Sequence, residues 1–495
     1  MLEKHVLSKS TFMRSCQCLK SLYLHKYQPD LRDEISESQE AIFVRGTNVG
    51  LLAQKLFPNG VDASPATPYE YQKSVEKTTQ LIKSGTEIIY EAAFQFEGVL
   101  CAIDILVKQN GIWKAYEVKS TTKVKEPFIK DASLQYYVIT NSGIQLSDIE
   151  IMYINNKYVR NGEIELDKLF KTESVFEAAK QNQAFIIEQV AKAKSVIKQK
   201  EIPLIDIGEH CSTPYPCDFH SHCWKHIPEN SVFSISRLNS EKKFELYRAG
   251  IIRIEDIPND YPLNENQRLQ TDSYQSHETY IDKPAIQEFL NELMYPLSFL
   301  DFESIMPALP LFDYSRPYQQ IVFQYSLHYK ENANAELQHF SFLADAKAGD
   351  PRKYFIEQLL QHIHKEGSII VYNRAFEATR LKELAEIFPE YAQAIQQIID
   401  RFVDLMLPFQ RKQYYANEME GSYSIKYVLP ALVPDLKYDD LAIADGSTAS
   451  ASFENLMYET DETKIAETRM HLHEYCKLDT LAMVRIVEKL KEIIK

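Results

Sequence analysis

The chain of 495 residues has no run of about 18 apolar residues, the length that a membrane-spanning helix requires. Its opening residues, MLEKHVLSKS, contain no apolar segment of the kind that a secretory leader needs. Internal repeats and low-complexity tracts are also missing. We therefore expect a globular cytoplasmic protein without a membrane partner, and a typical size of about 150 residues per domain predicts roughly three domains.

A surplus of positive charge is missing as well. The 55 Lys and Arg residues are outnumbered by 70 Asp and Glu residues, for a net charge of −15. This balance argues against a nucleic-acid coat protein, whereas a nuclease combines acidic sites with local basic contacts. Lys9, Arg14 and Lys20 lie in a stretch free of acids, and Lys119, Lys123 and others follow a candidate active site. These stretches predict either nucleic-acid contacts or solvated faces.

Cysteines are few, and three of the seven are clustered: Cys211, Cys217 and Cys223 recur in the segment HCSTPYPCDFHSHCW. Such clustering in a cytoplasmic chain indicates a metal centre rather than a disulfide framework. The fourth ligand must come from elsewhere, and Cys18 is the candidate, with Cys16 as the alternative.

An iron–sulfur cluster and a zinc ion are both compatible with this segment, because His210, His220 and His222 lie among the cysteines. The remaining residues, Cys101 and Cys476, fall in apolar elements, so we expect them to be ordinary buried thiols.

Alternating apolar and polar residues flank Asn110-Gly111, a favoured two-residue turn, and predict a β-hairpin. Asp104 falls in the middle of the apolar strand CAIDILV, where a charge is costly unless it is paired or bound to metal. Glu117 and Lys119 share one face of the partner strand because side chains alternate along a strand. Two carboxylates and a lysine suit a divalent cation and the activation of a water molecule.

This hairpin resembles the core of the PD-(D/E)XK nucleases, in their RecB-like branch. The resemblance implies that Asp104 and Glu117 bind a metal ion and that Asp104, Glu117 and Lys119 are catalytic. It also assigns Gln135, on the following helix, to the site, although Ile139 stands where the family has a tyrosine. Gly50 stands where many members have a metal-binding histidine, and Glu91 is a substitute ligand.

The cysteine layout is similar to that of the iron–sulfur subgroup of these nucleases, which includes the CRISPR spacer-processing exonucleases. In that subgroup one cysteine lies in the N-terminal helix and three follow the nuclease core. The resemblance implies a 4Fe-4S cluster held by Cys18, Cys211, Cys217 and Cys223.

A second group of acids begins at the predicted strand FLDFES, which places Asp301 and Glu303 on one face. Tyr475 and Asp479 are four residues apart on the predicted terminal helix and share a helical face. Glu377 follows a further strand at a predicted helix start, and Asp404 is an alternative acid. Acids that converge from a strand and two helices would suit a site for two metal ions.

This set resembles the DEDD exonucleases of the RNase H-like fold, in the subclass with a tyrosine. The resemblance implies catalytic roles for Asp301, Glu303, Glu377, Tyr475 and Asp479, with the four carboxylates binding Mg²⁺ or Mn²⁺. Glu377 stands where the family motif N-x-x-F-D has an aspartate. A degenerate domain that binds nucleic acid without cutting it is the alternative.

As a whole, the chain resembles bacterial proteins that fuse the two nuclease types. We expect an α/β protein with a restriction-endonuclease-like domain at 1–226, a small helical connector at 227–290 and an RNase H-like domain at 291–495. The expected function is a metal-dependent DNA exonuclease that acts on single-stranded ends, in repair or in defence against foreign DNA. The alternatives are an RNase and a DNA-end-binding scaffold with one or both sites inactive. Protein partners are not predicted.

Overall fold

The structure is a computed structural model that describes residues 5–67, 70–438 and 440–495. The chain divides into two compact units, and both are mixed α/β, which confirms the predicted class. The first unit consists of Met1–His226 and Pro307–Tyr318, and the second of Ile227–Met306 and Gln319–Lys495. The segment 227–290, predicted as a connector, therefore belongs to the second unit, and a short segment beyond it belongs to the first.

The first unit contains one seven-stranded sheet in the order β2-β3-β4-β5-β6-β7, with β1 paired to β4. Its strands are β1 Leu7–Ser8, β2 Val61–Asp62, β3 Ile88–Phe96, β4 Val99–Gln109, β5 Ile112–Lys119, β6 Leu146–Ile154 and β7 Phe170–Ser174. Its helices are α1 Lys9–Gln17, α2 Leu19–Tyr27, α3 Glu37–Gln54, α4 Tyr71–Lys83, α5 Glu126–Asn141, α6 Leu166–Leu169, α7 Phe176–Gln181, α8 Gln183–Val196 and α9 His220–Trp224.

The predicted hairpin is confirmed as β4 and β5. Its turn residues, Asn110 and Gly111, both have positive φ, at 50° and 82°. A two-residue turn of this kind matches the twist of the flanking strands, and asparagine and glycine tolerate it best. The turn fixes the register of β4 against β5, and with it the positions of the acids on both strands.

The residue patterns of 10–27 and of 172–200 each predict one long helix, and the structure interrupts both. The predicted helix from Ser10 to Tyr27 is broken at Cys18, whose extended backbone (φ −158°, ψ 121°) separates α1 from α2. The predicted helix over 172–200 is instead strand β7 followed by α7 and α8, because residues 170–174 pair with the free edge of β6.

The second unit contains a five-stranded sheet in the order β11-β10-β9-β12-β13 and a two-stranded sheet of β14 and β8. The strands are β8 Tyr280–Ile281, β9 Leu297–Ile305, β10 Ile321–Lys330, β11 Gln338–Leu343, β12 Ile369–Val371, β13 Phe402–Asp404 and β14 Tyr414–Tyr415. The helices are α10 Ser240–Arg248, α11 Glu265–Ser276, α12 Lys283–Asn291, α13 Arg352–His362, α14 Arg374–Ile387, α15 Ala392–Ile399, α16 Leu407–Gln410, α17 Ile425–Leu432, α18 Gly446–Leu456 and α19 Glu462–Ile493.

Strands β9, β10 and β11 are antiparallel, whereas β12 and β13 continue the sheet in parallel with β9. The long terminal helix α19 packs against β9 and β10 and contributes a row of buried residues to that face. In the part of the chain that the structure describes, no helix is both long and apolar enough to cross a membrane.

Candidate functional sites

Three carboxylates of the first unit lie in a row across adjacent strands. The pairs Tyr90↔Ile105 and Ala92↔Ile103 place Glu91 of β3 opposite Asp104 of β4. The pair Ile105↔Tyr116 likewise places Glu117 of β5 opposite Asp104 on its other side. Opposed residues of antiparallel strands project from the same face, so the row brings the three acids together.

The ladder between β4 and β5 ends at the pair Ile105↔Tyr116, and the Asp104 side chain takes up a backbone hydrogen bond next to it. Asp104 Oδ2 accepts a hydrogen bond of 2.6 Å from the backbone N–H of Val118. Glu91 has a positive φ of 51°, which a non-glycine residue adopts rarely and at an energetic cost. Strained backbone beside a row of acids is typical of a functional site rather than of a regular sheet.

Two lysines neutralise the buried end of this row. Glu117 is almost fully buried, and its Oε1 accepts from Lys119 Nζ and from Lys9 Nζ, each at 2.7 Å. Lys119 Nζ also lies 2.6 Å from Asp131 Oδ2, and Lys9 Nζ lies 3.9 Å from the same oxygen. Two ammonium groups therefore face two buried carboxylates.

Gln135 completes the first site from helix α5. Its Nε2 donates to Glu117 Oε2 at 2.8 Å and to Asp131 Oδ1 at 3.3 Å. Asp131 and Gln135 are four residues apart and share the helix face that covers the sheet. Gln135 Oε1 is buried and, among the described residues, has no hydrogen-bond partner. All four sequence-predicted residues of this site are thus brought together.

The electrostatic field of the first site divides its acids into two kinds. Burial alone would raise the pKa of Glu117, but Lys119 and Lys9 outweigh it and hold this pKa at about 2. Burial raises the pKa of Asp104, and the Glu117 carboxylate raises it further. Burial likewise raises the pKa of Glu91 to about 7. Glu117 is an anion at neutral pH, whereas Asp104 and Glu91 hold protons more readily.

The sequence reasoning did not assign Lys9 or Asp131 to this site. Lys9 is the first residue of α1 and lies 108 residues from Glu117 along the chain. Asp131 stands in a helix whose neighbouring residues are lysines and apolar side chains, so nothing marks it as buried. The one sequence feature that could have pointed to Lys9 is the lack of acids around it. This lack indicates that the lysine makes a contact as a cation, but it does not identify Glu117 as its partner.

The four predicted cysteine ligands line one cavity. Cys18, Cys211, Cys217 and Cys223 line it together with His210 and other residues. Cys18 reaches the cavity because it occupies the extended break between α1 and α2. Burial raises the pKa of the Cys18 thiol, and the neighbouring thiols of Cys217 and Cys211 raise it further.

The other thiols lie elsewhere. Cys16, the alternative ligand, packs against the hydrophobic core, and burial raises its pKa to about 11. Cys101 is buried in the same core, as predicted. Cys476 is also buried, but it is not an ordinary core thiol, because its Sγ lies 3.9 Å from Asp301 Oδ2.

In the second unit, β9 and α19 bring acids to one place. Asp301, Glu303 and Cys476 each offer a ligand atom, and these atoms lie within 4.8 Å of one another. Asp479 lies on α19 one turn after Tyr475, and its Oδ1 accepts a hydrogen bond of 2.6 Å from the Tyr438 hydroxyl. The predicted strand and helix positions are therefore adjacent in space.

Glu377 reaches this group from the first turn of α14. It is 1% exposed, and among the described residues its Oε2 has no hydrogen-bond partner. Asp404, the alternative acid, is used differently: its carboxylate accepts the backbone N–H groups of Asn373, Arg374 and Met406 at 3.0 to 3.1 Å. Asp404 therefore anchors the turn that leads into α14, and Glu377 is the acid that points to the site.

The acids of the second unit repel one another. Burial raises the pKa of Asp301, and the carboxylates of Asp479, Glu303 and Glu377 raise it further. Burial likewise raises the pKa of Glu303, where Asp479 adds to the effect and Lys426 opposes it. The pKa of Asp479 rises to about 6, mainly because of burial. Burial also raises the pKa of Glu377.

Lys426 is the cation that the structure places beside these acids. Its Nζ donates to the carbonyl oxygen of Ala444 at 2.7 Å and lies 5.7 Å from the centre of the Tyr475 ring. Gly446 lies next to Glu303, since a Cβ atom built on it would make ordinary contact with the Glu303 carboxylate at 3.6 Å. Tyr475 and Lys426 thus border the acids, as a tyrosine and a cation that meet a substrate would.

Part of the second unit matches a known sequence family. Residues 298–424 match the model described as a domain of unknown function, DUF2779. The match includes Asp301, Glu303 and Glu377, but not the terminal helix with Tyr475 and Asp479.

The chain is also similar to proteins of Mycoplasma and Ureaplasma species. It is 30% identical over 216 residues to "Uncharacterized protein MG366 homolog" of Mycoplasma pneumoniae, a match that covers 40% of this chain and 32% of that protein. It is 28% identical over 243 residues to "Uncharacterized protein UU173" of Ureaplasma parvum, covering 45% of this chain and 35% of that protein. The chain therefore spans about a third of the length of these curated relatives.

Proposed function

We propose that this protein is a metal-dependent nuclease with two sites. The first unit would carry a RecB-like PD-(D/E)XK site, and the second a DEDD-type site of the RNase H-like class. One observation carries the proposal: Asp301, Glu303, Glu377 and Asp479 converge in a buried place where Glu377 Oε2 has no partner among the described residues. Buried carboxylates that repel one another are costly unless cations bind them.

The donor set of the second unit fits Mg²⁺ or Mn²⁺. These cations prefer oxygen ligands, and the four carboxylates supply them. When bound, such cations stabilise the attacking and leaving oxygens of a phosphodiester and favour hydroxide over water. Tyr475 and Lys426 border the acids, where the tyrosine hydroxyl would orient the attacking water and the ammonium would hold a phosphate oxygen.

The first site would act with its own residues around a single scissile phosphate. Asp104 and Glu117 would hold a divalent cation, with Glu91 as a further oxygen ligand in the same row. Lys119 and Lys9 are charged at neutral pH, since nearby Asp131 and Glu117 raise their pKa values against the effect of burial. Both can stabilise negative charge on the phosphate, and Gln135 holds Glu117 in place.

We propose a 4Fe-4S cluster as the occupant of the cysteine cavity. Zn²⁺ with bonds of about 2.3 Å would draw four sulfurs to within about 4 Å of one another and leave no space between them. Among the described residues, no three of the four sulfurs lie within 4.8 Å of one another, and this spacing, wider than one zinc ion would hold, supports the larger group. It would join the break after α1 to residues 211–223, and so contribute to folding as well.

DNA is the proposed substrate, with exonucleolytic cleavage at single-stranded ends. The test is digestion of end-labelled single-stranded DNA, duplex DNA and RNA with Mg²⁺ or Mn²⁺, by wild type, Asp301→Asn and Lys119→Met. We expect cleavage of DNA that each variant reduces in part and the double variant abolishes. Cleavage of RNA alone would make the protein an RNase, and binding without any cleavage would make it a scaffold.

The cluster is tested separately with protein purified without oxygen. We expect a brown sample with about four irons per chain, as a cube held by four thiolates requires. Cys18→Ser should lose the colour and reduce the folded yield, whereas Cys16→Ser, the matched control, should keep both. A colourless wild type that contains one zinc per chain would contradict the proposal.

A further inference from the structure

A cavity in the second unit combines cationic side chains with an aromatic ring. It measures about 330 Å³ and lies between the predicted connector and the segment that follows α16. Arg237, Gln410, Lys412 and Tyr423 line it, together with the residues at the start of α11. None of these residues belongs to the two acid sites or to the cysteine cavity.

Lys412 is the unusual member of this lining. It is 6% exposed, and its Nζ lies 4.0 Å from the centre of the Tyr415 ring. Within the described part of the chain, no carboxylate pairs with its ammonium group, and burial lowers its pKa to about 8. A buried ammonium without an anion is costly in free energy. Its place on the cavity wall means that an anion entering from outside would relieve this cost.

The other groups around the cavity favour the same kind of ligand. Arg237 lies over the Tyr423 ring at 5.4 Å and donates to the Tyr423 hydroxyl at 3.0 Å. Asn264 caps α11, whose first turn carries the partial positive charge of a helix N-terminus. Glu265 is the acid of this lining, so two full positive charges stand against one negative charge.

The position of Tyr423 connects this cavity with the acids of the second unit. The Tyr423 carbonyl oxygen accepts a hydrogen bond of 2.6 Å from the Tyr372 hydroxyl. Tyr372 immediately precedes Asn373 and the helix that carries Glu377, and Lys426 follows Tyr423 by three residues. Only two residues thus separate Tyr423, which lines the cavity, from Lys426, which lies beside the acids.

We propose that the cavity lined by Arg237, Lys412 and Tyr423 binds a phosphate group of a single-stranded nucleic acid. This inference rests on the proposed function and names a substrate contact away from the reacting bond. Lys412 would neutralise the phosphate, Arg237 would hold it through its planar fork, and the Tyr423 ring would stack against a base. A nucleic-acid strand supplies both the anion and the base, which an acidic peptide does not.

The experiment measures binding apart from cleavage, in the Asp301→Asn, Lys119→Met background. Fluorescence anisotropy of a labelled single-stranded oligonucleotide gives the Kd over a range of salt concentrations. Lys412→Met should raise the Kd about tenfold and reduce the salt dependence by about 0.7, the value expected for one lost phosphate contact on a single strand. Arg237→Met should act in the same direction, and it changes a residue that is exposed in the structure.

Lys353→Met, which removes an exposed lysine of α13, is the matched control for net charge and should leave the Kd within twofold. Inorganic phosphate and a deoxynucleoside monophosphate are added as competitors, and weak competition by both would identify the strand as the preferred ligand. Competition by either at micromolar concentration would overturn the strand proposal in favour of a free phosphate compound.

The inference and the proposed function fail in different ways. Unchanged Kd and salt dependence in both Lys412→Met and Arg237→Met would overturn the inference even if the wild type cuts DNA. A wild type that binds the strand through Lys412 but cuts no substrate would overturn the nuclease proposal and support the binding site.

Discussion

The buried charges of the two units are balanced in different ways. In the first unit, Glu117 and Asp131 are paired with Lys119 and Lys9 at 2.6 to 3.9 Å. In the second unit, Lys426 lies near Glu303 and Asp479, and it is itself bonded to a carbonyl oxygen. Lys412 is the reverse case, a buried cation with no anionic partner among the described residues. The first unit pairs Glu117 and Asp131 internally, whereas the acids of the second unit would need a cation from solution to balance them.

This difference has a physical consequence for each proposed site. A cation that enters the first site must compete with two ammonium groups for Glu117, so cation binding there is opposed by charge already in place. A cation that enters the second site relieves repulsion that the folded chain otherwise bears. We therefore expect divalent cations to stabilise the second unit more than the first.

The largest expected effect comes from Asp301→Asn in the second unit. It should lower cleavage at that site about a thousandfold, because a carboxylate that binds cations supplies several kcal/mol of transition-state stabilisation. In EDTA the same change should raise the melting temperature by a few degrees, since it removes one of four repelling carboxylates. Cleavage rates in the Lys119→Met background measure the loss of activity, and thermal melts in EDTA measure the change in melting temperature.

Glu467→Gln is the matched control, because it neutralises an exposed acid on the helix that carries Asp479. It should leave both cleavage and melting temperature unchanged. If Asp301→Asn instead lowers the melting temperature in EDTA, the acids of the second unit do not repel one another as the comparison requires.

Lys119→Met should have the second largest effect, on the first unit. Loss of this ammonium would remove the proposed phosphate contact and leave Lys9, at 3.9 Å, as the remaining ammonium beside Asp131. We expect the activity of the first site to fall about a hundredfold and stability to fall by about 3 kcal/mol, since a buried charge has lost its partner. In the structure this lysine pairs with two buried carboxylates, so the same change is expected to affect the fold as well as the proposed reaction.

Lys123→Met, a nearby lysine for which the structure gives no ion pair with a described residue, serves as its control. If Lys119→Met lowered activity without changing the urea midpoint, Lys119 would not be needed to balance the buried carboxylates of the first unit. Glu117 and Asp131 would then be satisfied by Lys9 alone.

The sequence predicted the parts of the sites that are periodic along one element. Glu117 and Lys119 alternate on a strand, and Tyr475 and Asp479 repeat on a helix, so their shared faces follow from local geometry. The positions of Asp104 and Glu117 opposite one another also followed, because the Asn110-Gly111 turn fixes the hairpin register.

The remaining features depend on contacts that no local pattern encodes. Lys9 meets Glu117 only because α1 packs beside the sheet, and Asp131 is buried only because α5 covers it. The break at Cys18 interrupts a stretch whose apolar spacing favours one helix, and the strand β7 forms because β6 offers a free edge. Lys412 looks like a surface lysine in sequence, yet it is 6% exposed in the structure.

A smaller effect, on the pH dependence of stability, is expected for Lys412→Met. It tests whether the buried charge of Lys412 in the second unit is unpaired. Its pKa falls from 10.5 to about 8 on folding because of burial. The unfolded chain therefore binds this proton more tightly between those pH values, and wild-type stability should rise as pH increases through that window. Lys412→Met should be more stable than wild type below pH 8, by at most about 3 kcal/mol, and this advantage should shrink toward pH 10.5.

Urea denaturation at pH 7, 9 and 10 measures this trend, and Lys353→Met gives the baseline for an exposed lysine. The neighbouring titratable groups, Glu265, Tyr415 and Tyr423, are common to all three proteins and cancel in the comparison. If the difference in the free energy of unfolding between Lys412→Met and wild type were constant across this pH range, Lys412 would have an anionic partner. Its buried charge in the second unit would then be balanced within the protein.

The smallest effect is expected for Lys9→Met, which leaves Lys119 on the same oxygen of Glu117. We expect the first site to lose about tenfold in kcat at unchanged KM, in the Asp301→Asn background, because Glu117 keeps one of its two ammonium partners. The pKa of Glu117 is held at about 2, below its ordinary 4.5, mainly by Lys119 and Lys9 acting against burial. That lowering stabilises the fold above pH 4.5 and is lost as pH falls toward 2.

Lys9→Met should therefore move acid unfolding to higher pH, whereas Lys9→Arg, which keeps the charge, should restore both the acid midpoint and most of the rate. A residue that served only to pack α1 against the sheet would not show this rescue, because arginine differs from lysine in shape more than in charge. If Lys9→Met and Lys9→Arg reduce kcat equally and leave the acid midpoint unchanged, Lys9 does not balance Glu117. The internal neutralisation of the first unit would then rest on Lys119 alone.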